Sequence, residues 1–164
     1  MKEKYVSDTA MVLTQMMSPQ DANIAGNIHG GVIMRHIDNA AAIAAVRHTK
    51  TNVVTASIDR LNFHNPVFIG DLVSFQASIN MVGKSSMEIG VRVESENLIS
   101  GESKHIASAY LTFVALDALG KPMTVPSLKV KTADERRRNE EAQERKKIRT
   151  LERIKEDQHQ NSSV

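Results

Sequence analysis

A predominantly apolar segment at residues 32–46 constrains the fold of this chain more than any other feature. It contains neither glycine nor proline, and alanine and isoleucine dominate it, a composition that favours a helix. At a spacing of 3.6 residues one face is wholly apolar, formed by Ile33, Ile37, Ala40, Ala41 and Ala44. Much of the opposite side is also apolar, so the pattern predicts a helix that is buried on most of its circumference.

The segments after this helix alternate apolar and polar residues with a period of two, which is typical of strands. The alternation is clearest at residues 73–81 and 87–93, and the Val82-Gly83-Lys84-Ser85 link between them indicates a hairpin. Further strands are predicted at 53–63, 105–116 and, as an edge strand, 9–16. The order predicts an α+β fold with one helix on a largely antiparallel sheet. One helix leaves the other face of the sheet to solvent or another subunit, so we expect a dimer.

The composition changes near Pro126, and charged residues dominate residues 129–160. This stretch has no glycine or proline and is rich in good helix formers, which predicts a solvated helix. Its apolar residues are too sparse for a coiled coil: Ala142, Ile148, Leu151 and Ile154. We therefore divide the chain into a folded domain at 1–128 and a charged tail at 129–164. The tail is expected to be helical, mobile or partly docked, and a partner-binding element is the alternative.

The composition excludes several classes of function. The chain has no cysteine, which rules out disulfides and thiolate chemistry and is compatible with the cytoplasm. A net charge of +2 and 4% aromatic residues do not indicate a nucleic-acid partner. No apolar run approaches the roughly 18 residues of a membrane span, and the first five residues do not resemble a signal peptide. The six histidines form no ligand-like cluster, so no metal site is expected.

Two glycines, Gly30 and Gly31, stand at the start of the predicted helix. They weaken a helix locally, but they expose unpaired N–H groups at its positive end to any group that approaches. An oxyanion that develops during a reaction is stabilised by such donors. Close packing of the helix on the sheet is an equally good explanation of the pair.

Asp38 is an acidic residue within the most apolar helix of the chain. A buried carboxylate costs several kcal/mol unless it is paired or hydrated. Asp38 is therefore the best candidate for a general base or a nucleophile. A surface position, or pairing with Arg35 or His36, is the alternative. Asn23, in the loop before the helix, can orient a water molecule or hold a carbonyl group, although a loop asparagine more often shapes a turn.

An ordered set of short motifs resembles the hot-dog-fold acyl-CoA thioesterases of the cytosolic acyl-CoA hydrolase group. The longest motif is Pro19-x-Asp21-x-Asn23-x-x-Gly26-x-x-His29-Gly30-Gly31, followed after six residues by Asp38. The others are Val54-Thr55, Phe63-x-x-Pro66-Val67-x-x-Gly70-Asp71, Ser85-Ser86-Met87, and Thr112-Phe113-Val114-Ala115-x-Asp117-x-x-Gly120-Lys121-Pro122. Together they span residues 8–126, and the charged tail lies outside the resemblance.

The resemblance implies a long helix wrapped by an antiparallel sheet, and dimers that assemble into trimers of dimers. It also implies that Asp38 is the catalytic carboxylate and that Asn23 acts with the aspartate of the partner subunit. Spacing agrees with a shared site, because the seven residues from Gly31 to Asp38 correspond to a rise of about 10 Å along one helix. The expected reaction is hydrolysis of acyl-CoA, with no cofactor beyond the coenzyme A of the substrate.

Coenzyme A has to be held by its phosphates and its pantetheine arm. The candidates for this role are His29, Arg60, Lys84, Ser85 and Ser86, although His29 is as readily explained as a packed or hydrogen-bonded residue, and surface cations are usually solvated. Asp71 is expected to shape a turn. A non-catalytic acyl-CoA sensor on the same fold is the alternative function. A dehydratase acting on acyl-carrier-protein thioesters is a second rival, but the chain lacks its His-containing, proline-rich signature.

Overall fold

The main sheet has five long strands and one short strand, as seen in a computed structural model that describes residues 3–59 and 61–161. The strands are β2 (Met11–Met16), β3 (Asn52–Ile58), β4 (Asn62–Phe63), β5 (Leu72–Val82), β6 (Ser86–Glu96) and β7 (Ser103–Leu116). Their order is β2-β5-β6-β7-β3, every pairing is antiparallel, and β4 also pairs with β7. The predicted hairpin and the predicted edge strand are confirmed. Separately, β1 (Lys4–Tyr5) and β8 (Leu128–Lys129) form a short parallel pair.

The predicted apolar helix is α1 (Gly30–Thr49), which begins at the glycine pair and ends where Lys50 adopts a left-handed conformation. It packs on the inner face of the sheet and contributes most of its buried residues to one core: Ile33, Ile37, Ala40, Ala41, Ala44 and Ala45. The prediction of burial on most of its circumference is wrong for this chain. Met34, Ile43 and Val46 are 41%, 37% and 43% exposed, because the sheet covers one side of the helix only.

The predicted strand at 53–63 is divided into β3 and β4. A bulge between Thr55 and Ser57 interrupts the pairing with β7, and β3 ends at Ile58. Thr55 pairs with the buried Phe113, whose side chain lies on the inner face, whereas Ser57 pairs with Thr112. The bulge therefore reverses the alternation of side chains along β3, as the extra residue of a bulge does.

The charged tail forms α2 (Ala133–Asn161), so its predicted helical state is confirmed. A capping box starts it, because Thr132 Oγ1 accepts from the Glu135 N–H and the Glu135 carboxylate accepts from the Thr132 N–H. The helix lies on the outer face of the sheet, where Ala142 is fully buried and Asn139 Nδ2 donates to the Asn80 carbonyl at 2.8 Å. This face was predicted to meet solvent or another subunit, and α2 covers part of it.

The predicted boundary between residues 128 and 129 falls inside β8, and the division into a domain and a tail stays a prediction. Within residues 3–59 and 61–161, neither helix is apolar enough over a sufficient length to cross a membrane.

Candidate active site

His29 caps the start of α1. Its Nδ1 accepts a hydrogen bond from the Gly31 N–H at 3.1 Å, and its backbone is extended, as is usual for the residue that precedes a helix. The structure therefore gives His29 the hydrogen-bonded role that the sequence allowed as an alternative to substrate binding. Its ring also occupies the Gly31 donor that was expected to be free for an oxyanion.

Gly30 retains a free donor at the same helix start. Among the residues that the structure describes, its N–H has no acceptor. A Cβ atom added at Gly30 would lie 3.7 Å from the Phe63 ring, which is ordinary van der Waals contact. Packing within the chain does not require a glycine here, so close packing on the sheet does not explain Gly30.

Asp38 lies two turns further along α1, half-buried and outside the face that packs on the sheet. Its Oδ1 accepts a hydrogen bond from Thr55 Oγ1 of β3 at 2.7 Å. The predicted alternative, pairing with Arg35 or His36, does not occur among the described residues, in which Asp38 forms no ion pair. Exposed apolar side chains lie on the same two elements, including Met34 on α1 and Ile58, which faces the Thr55 side of β3. The carboxylate is thus held by a neutral donor on a largely apolar, uncovered surface.

Sequence reasoning missed Thr55 as a site residue. Its signal was present in the Val54-Thr55 motif, to which no role was given. The hydroxyl reaches α1 because Thr55 precedes the bulge and faces the inner side of the sheet with Phe113.

Asn23 organises the exposed loop before α1. Its Oδ1 accepts from the backbone N–H of Ala25 at 2.9 Å and of Asn27 at 3.3 Å. This is the turn-forming role that an isolated loop asparagine predicts. It leaves the two Nδ2 hydrogens as donors, since no acceptor for them occurs in the described part of the chain.

Asp21 and Asp71 fix the segments on either side of the helix start. Both Ser18 Oγ, at 2.7 Å, and the Ser18 N–H donate to the Asp21 carboxylate, and these bonds hold the pKa of Asp21 below its ordinary value. Asp71 accepts from the Phe68 N–H at 3.0 Å, in agreement with its predicted turn role. The Ile28 N–H donates to the Val67 carbonyl, which ties the two segments together.

Three of the candidates for coenzyme A binding lie on a different element from Asp38 and the start of α1. Lys84, Ser85 and Ser86 form the β5–β6 hairpin, and backbone bonds from Val125 to Lys84 and from Ala115 to Ser85 fix its shape. Lys84 is exposed and the two serines are half-buried. Arg60 lies outside the described residues. No cluster of three or more metal-ligating side chains occurs in the ranges 3–59 and 61–161.

Comparison with known proteins supports the resemblance. A family model described as Thioesterase superfamily matches residues 25–101. A cytosolic acyl coenzyme A thioester hydrolase of Mus musculus is 39% identical over 142 residues, which cover 85% of this chain and 37% of the relative. An uncharacterized acyl-CoA thioester hydrolase of Bacillus subtilis is 39% identical over 132 residues, which cover 80% of this chain and 77% of the relative. The chain therefore spans little more than a third of the mouse protein.

Solved structures share the fold over nearly the whole chain. An apo-hexameric acyl-CoA thioesterase superimposes with a TM-score of 0.89 at 36% identity, covering 93% of this chain and 97% of that chain. A Staphylococcus aureus acyl-CoA hydrolase, solved with coenzyme A after an asparagine was replaced by alanine, gives a TM-score of 0.90 at 34% identity. It covers 96% of this chain and 94% of that chain. The predicted hot-dog fold is confirmed.

Proposed function

This chain belongs to the thioesterase superfamily, and we propose that it hydrolyses acyl-CoA thioesters to a carboxylic acid and coenzyme A, with Asp38 as the catalytic carboxylate. The observation that carries the proposal is the geometry of Asp38. Its carboxylate is half-buried, forms no ion pair within the described chain, and is fixed by the Thr55 hydroxyl beside exposed apolar side chains. A carboxylate held in this way keeps a lone pair for a substrate or a water molecule.

A spacing shared with a solved relative supports the choice of residues. Three structures of the Staphylococcus aureus hydrolase carry an alanine in place of an asparagine, an aspartate or a threonine. These three positions are separated by 15 and 17 residues, as Asn23, Asp38 and Thr55 are here. Identical spacing over two intervals supports the assignment of Asn23, Asp38 and Thr55 as the corresponding residues.

We propose that two copies of the chain complete each site. Gly30 and Asp38 lie on one helix, where eight residues correspond to a rise of about 12 Å, too far to flank a single carbonyl group. Exposed apolar residues lie on α1 and on the Thr55 face of β3, among them Met34 and Ile58, and association would bury such side chains. Among the described strands β3 pairs with β7 alone, which leaves one edge for a second copy. The hexameric thioesterase supports a trimer of dimers as the complete assembly.

In the proposed reaction the Gly30 N–H of one subunit polarises the thioester carbonyl, and Asp38 of the other activates water or attacks the carbonyl carbon directly. Asn23 donates through Nδ2 to the reacting oxygen. A C–O bond forms as the C–S bond breaks, and the electron pair leaves with the sulfur of coenzyme A. Because thiols have a pKa of about 8.5, this group departs without strong acid assistance. Direct attack gives a mixed anhydride, which water then hydrolyses.

Coenzyme A is proposed to lie along Lys84, Ser85 and Ser86, with Arg60 as a further candidate. The reaction requires no cofactor besides the coenzyme A of the substrate. Relatives named cytosolic support a cytoplasmic location.

The test is the release of free coenzyme A from a panel of acyl-CoAs by the purified protein and by Asp38→Ala. The variant should lose at least about 100-fold in kcat, the usual contribution of a positioned acid–base group, and still bind coenzyme A. Glu102→Gln, on the exposed β6–β7 hairpin, is the matched control and should retain full activity. Equal rates for Asp38→Ala and the unchanged protein would remove Asp38 from the mechanism, and tight acyl-CoA binding without turnover would favour a sensor.

Mixed dimers test the shared site. A dimer of one Asn23→Ala chain and one Asp38→Ala chain has one intact site and one doubly altered site, whereas each variant alone has none. Activity should therefore reappear on mixing. Proven mixed dimers without activity would contradict the two-subunit arrangement.

A further inference from the structure

The strand that carries Thr55 is contacted by α1 on its inner face, and Asp59, the residue that directly follows the strand, is bonded to α2 on the outer side. Before the bulge, Thr55 faces the inner side and donates to Asp38 of α1. After the bulge, Asp59 faces the outer side and forms an ion pair with Arg149 of α2 through the guanidinium Nη1. Thr55, which bonds to the carboxylate of the proposed site, and Asp59, which bonds to the charged tail, are therefore four residues apart in the chain.

A buried carboxylate on β6 completes the outer contact. Glu88 has no exposed surface, and the same Nη1 of Arg149 donates to it at 3.1 Å. Arg145 donates to Glu88 at 2.7 Å, and Asn80 Nδ2 does so at 3.2 Å. Two arginines therefore balance two carboxylates, and the side chains of both arginines are about one-fifth exposed. Ion pairs in such a setting are screened less than pairs in open solvent.

The backbone beside the bulge is fixed by the same network. The Asp59 N–H donates to the carbonyl of Tyr110 at 2.8 Å, and the Arg145 guanidinium lies 3.7 Å above the centre of the Tyr110 ring. Burial lowers the pKa of Arg145, but the hydrogen bonds and charge of Glu88 outweigh it and hold the pKa above its ordinary value. Both the main chain and the side chain of Asp59 are therefore held by groups under or on α2.

We propose that Arg149 and Asp59 are positioning residues for Asp38, and that α2 fixes the bulge of β3 so that the Thr55 hydroxyl stays bonded to the catalytic carboxylate. The inference rests on the proposed function. In the part of the chain that the structure describes, β3 is an edge strand that pairs with β7 alone, and a bulge weakens that ladder at the point where Thr55 must be placed. The Nη1 atom of Arg149 lies between the carboxylates of Asp59 and Glu88 and bonds to both. Without Arg149 these two carboxylates would face each other, and Arg145 would be the remaining cation at Glu88. Their repulsion would displace Asp59 and, with it, the bulge.

The first measurement is steady-state hydrolysis of one acyl-CoA by Arg149→Met, well below its unfolding temperature. We expect kcat to fall about fivefold to tenfold with KM within about twofold, because a small misplacement of a reacting group costs rate more than binding. Arg149→Lys keeps the charge and should recover most of the rate. Arg137→Met, on the same helix, removes ion pairs to Asp134 and Glu141 that do not touch β3, and it should match the unchanged protein.

The decisive measurement is the coupling of Arg149 to Thr55. If Arg149 acts through the Thr55 hydroxyl, Arg149→Met should lower kcat little further in a Thr55→Val background. A purely structural role of α2 would instead multiply the two losses. Asp59→Asn removes the same ion pair from the other side and replaces Arg149→Met should that variant fail to fold.

Multiplying losses, or a normal kcat in both Arg149→Met and Asp59→Asn, would overturn the inference. Failure of the proposed function is distinguishable, because the unchanged protein would then release no coenzyme A, or Asp38→Ala would turn over normally.

Discussion

The two helices of this chain lie on opposite faces of one sheet and are held there by different forces. Six apolar residues of α1 are buried in the core, whereas among the described side chains of α2 Ala142 is the buried apolar one. The outer helix is attached through Asn139, Arg145 and Arg149, each of which is bonded to a residue outside the helix. A helix that buries apolar area shows a periodic pattern within its own sequence. A helix held by hydrogen bonds and ion pairs depends on partner residues that lie far away in the chain. The first kind of attachment is therefore visible in a sequence and the second is not.

The largest expected effect concerns the core side of this comparison. Ile37→Ala on α1 removes a side chain that is 1% exposed and should lower the free energy of unfolding by about 2–5 kcal/mol. Ile148→Ala on α2 makes the same change where the side chain is 54% exposed, and it should cost less than about 0.5 kcal/mol. Urea unfolding at one protein concentration measures both. Equal losses would mean that α2 is held by apolar burial after all.

A smaller effect is expected on the polar side. Glu88→Ala leaves Arg145, Arg149 and the Asn80 amide without their shared acceptor and should cost about 1–3 kcal/mol, less than a fully buried pair because water reaches the arginines. Glu94→Ala on the same strand is the matched control, since Glu94 pairs with Arg92 in solvent and should contribute less than about 1 kcal/mol. Amide hydrogen exchange should show the loss concentrated in α2. Protection that falls evenly over both helices would contradict a local role.

The same distinction explains what could be predicted from the sequence. The period of 3.6 located α1 to within two residues at its start, and the period of two located β5, β6 and their hairpin. The alternation also placed Glu88 on the polar face of β6, where a solvated side chain is expected. It is fully buried because α2, which begins 45 residues later, covers it. The bulge in β3 was missed as well, because no feature of the sequence at residues 53–63 marks the extra residue that is left out of the pairing with β7.

The candidate site divides along similar lines. Asp38 stands out in sequence because a charge within an apolar helix is unexpected wherever the helix packs. The contact that fixes it was missed, since the Thr55 hydroxyl reaches α1 through the register of β3 on β7. At Asn23 the structure shows the turn that loop statistics predict, while the donors needed for chemistry remain on the same amide. The Asn23 side chain forms the turn and keeps the donors that the proposed reaction uses, so the two interpretations of this residue do not exclude each other.

The smallest effect concerns His48, the polar member of the buried face of α1. Its Nε2 lies 2.9 Å from the Pro126 carbonyl and must carry the hydrogen, and its buried Nδ1 has no partner among the described groups. Burial lowers the pKa of His48, the Pro126 carbonyl offsets this in part, and the charge of Lys4 lowers the pKa further. The folded chain therefore binds this proton more weakly than the unfolded chain, whose histidine titrates near 6.5.

As the pH falls, the unfolded state takes up the proton before the folded state does. The contribution of neutral His48 to the free energy of unfolding should therefore be present above pH 6.5 and should be lost as the pH is lowered below it. Between pH 7.5 and 5.5 the free energy of unfolding should drop on account of this residue, by no more than the ~1.4 kcal/mol that uptake of one proton by the unfolded chain supplies over this range. His48→Gln keeps a donor for Pro126 without a titrating group, so its curve should be flatter by that amount. Some slope should remain, since burial and the charge of Arg35 also lower the pKa of His36. Parallel curves for the variant and the unchanged protein would show that protonation of His48 does not change the free energy of unfolding. The buried face of α1 would then tolerate polar contacts as readily as α2 does.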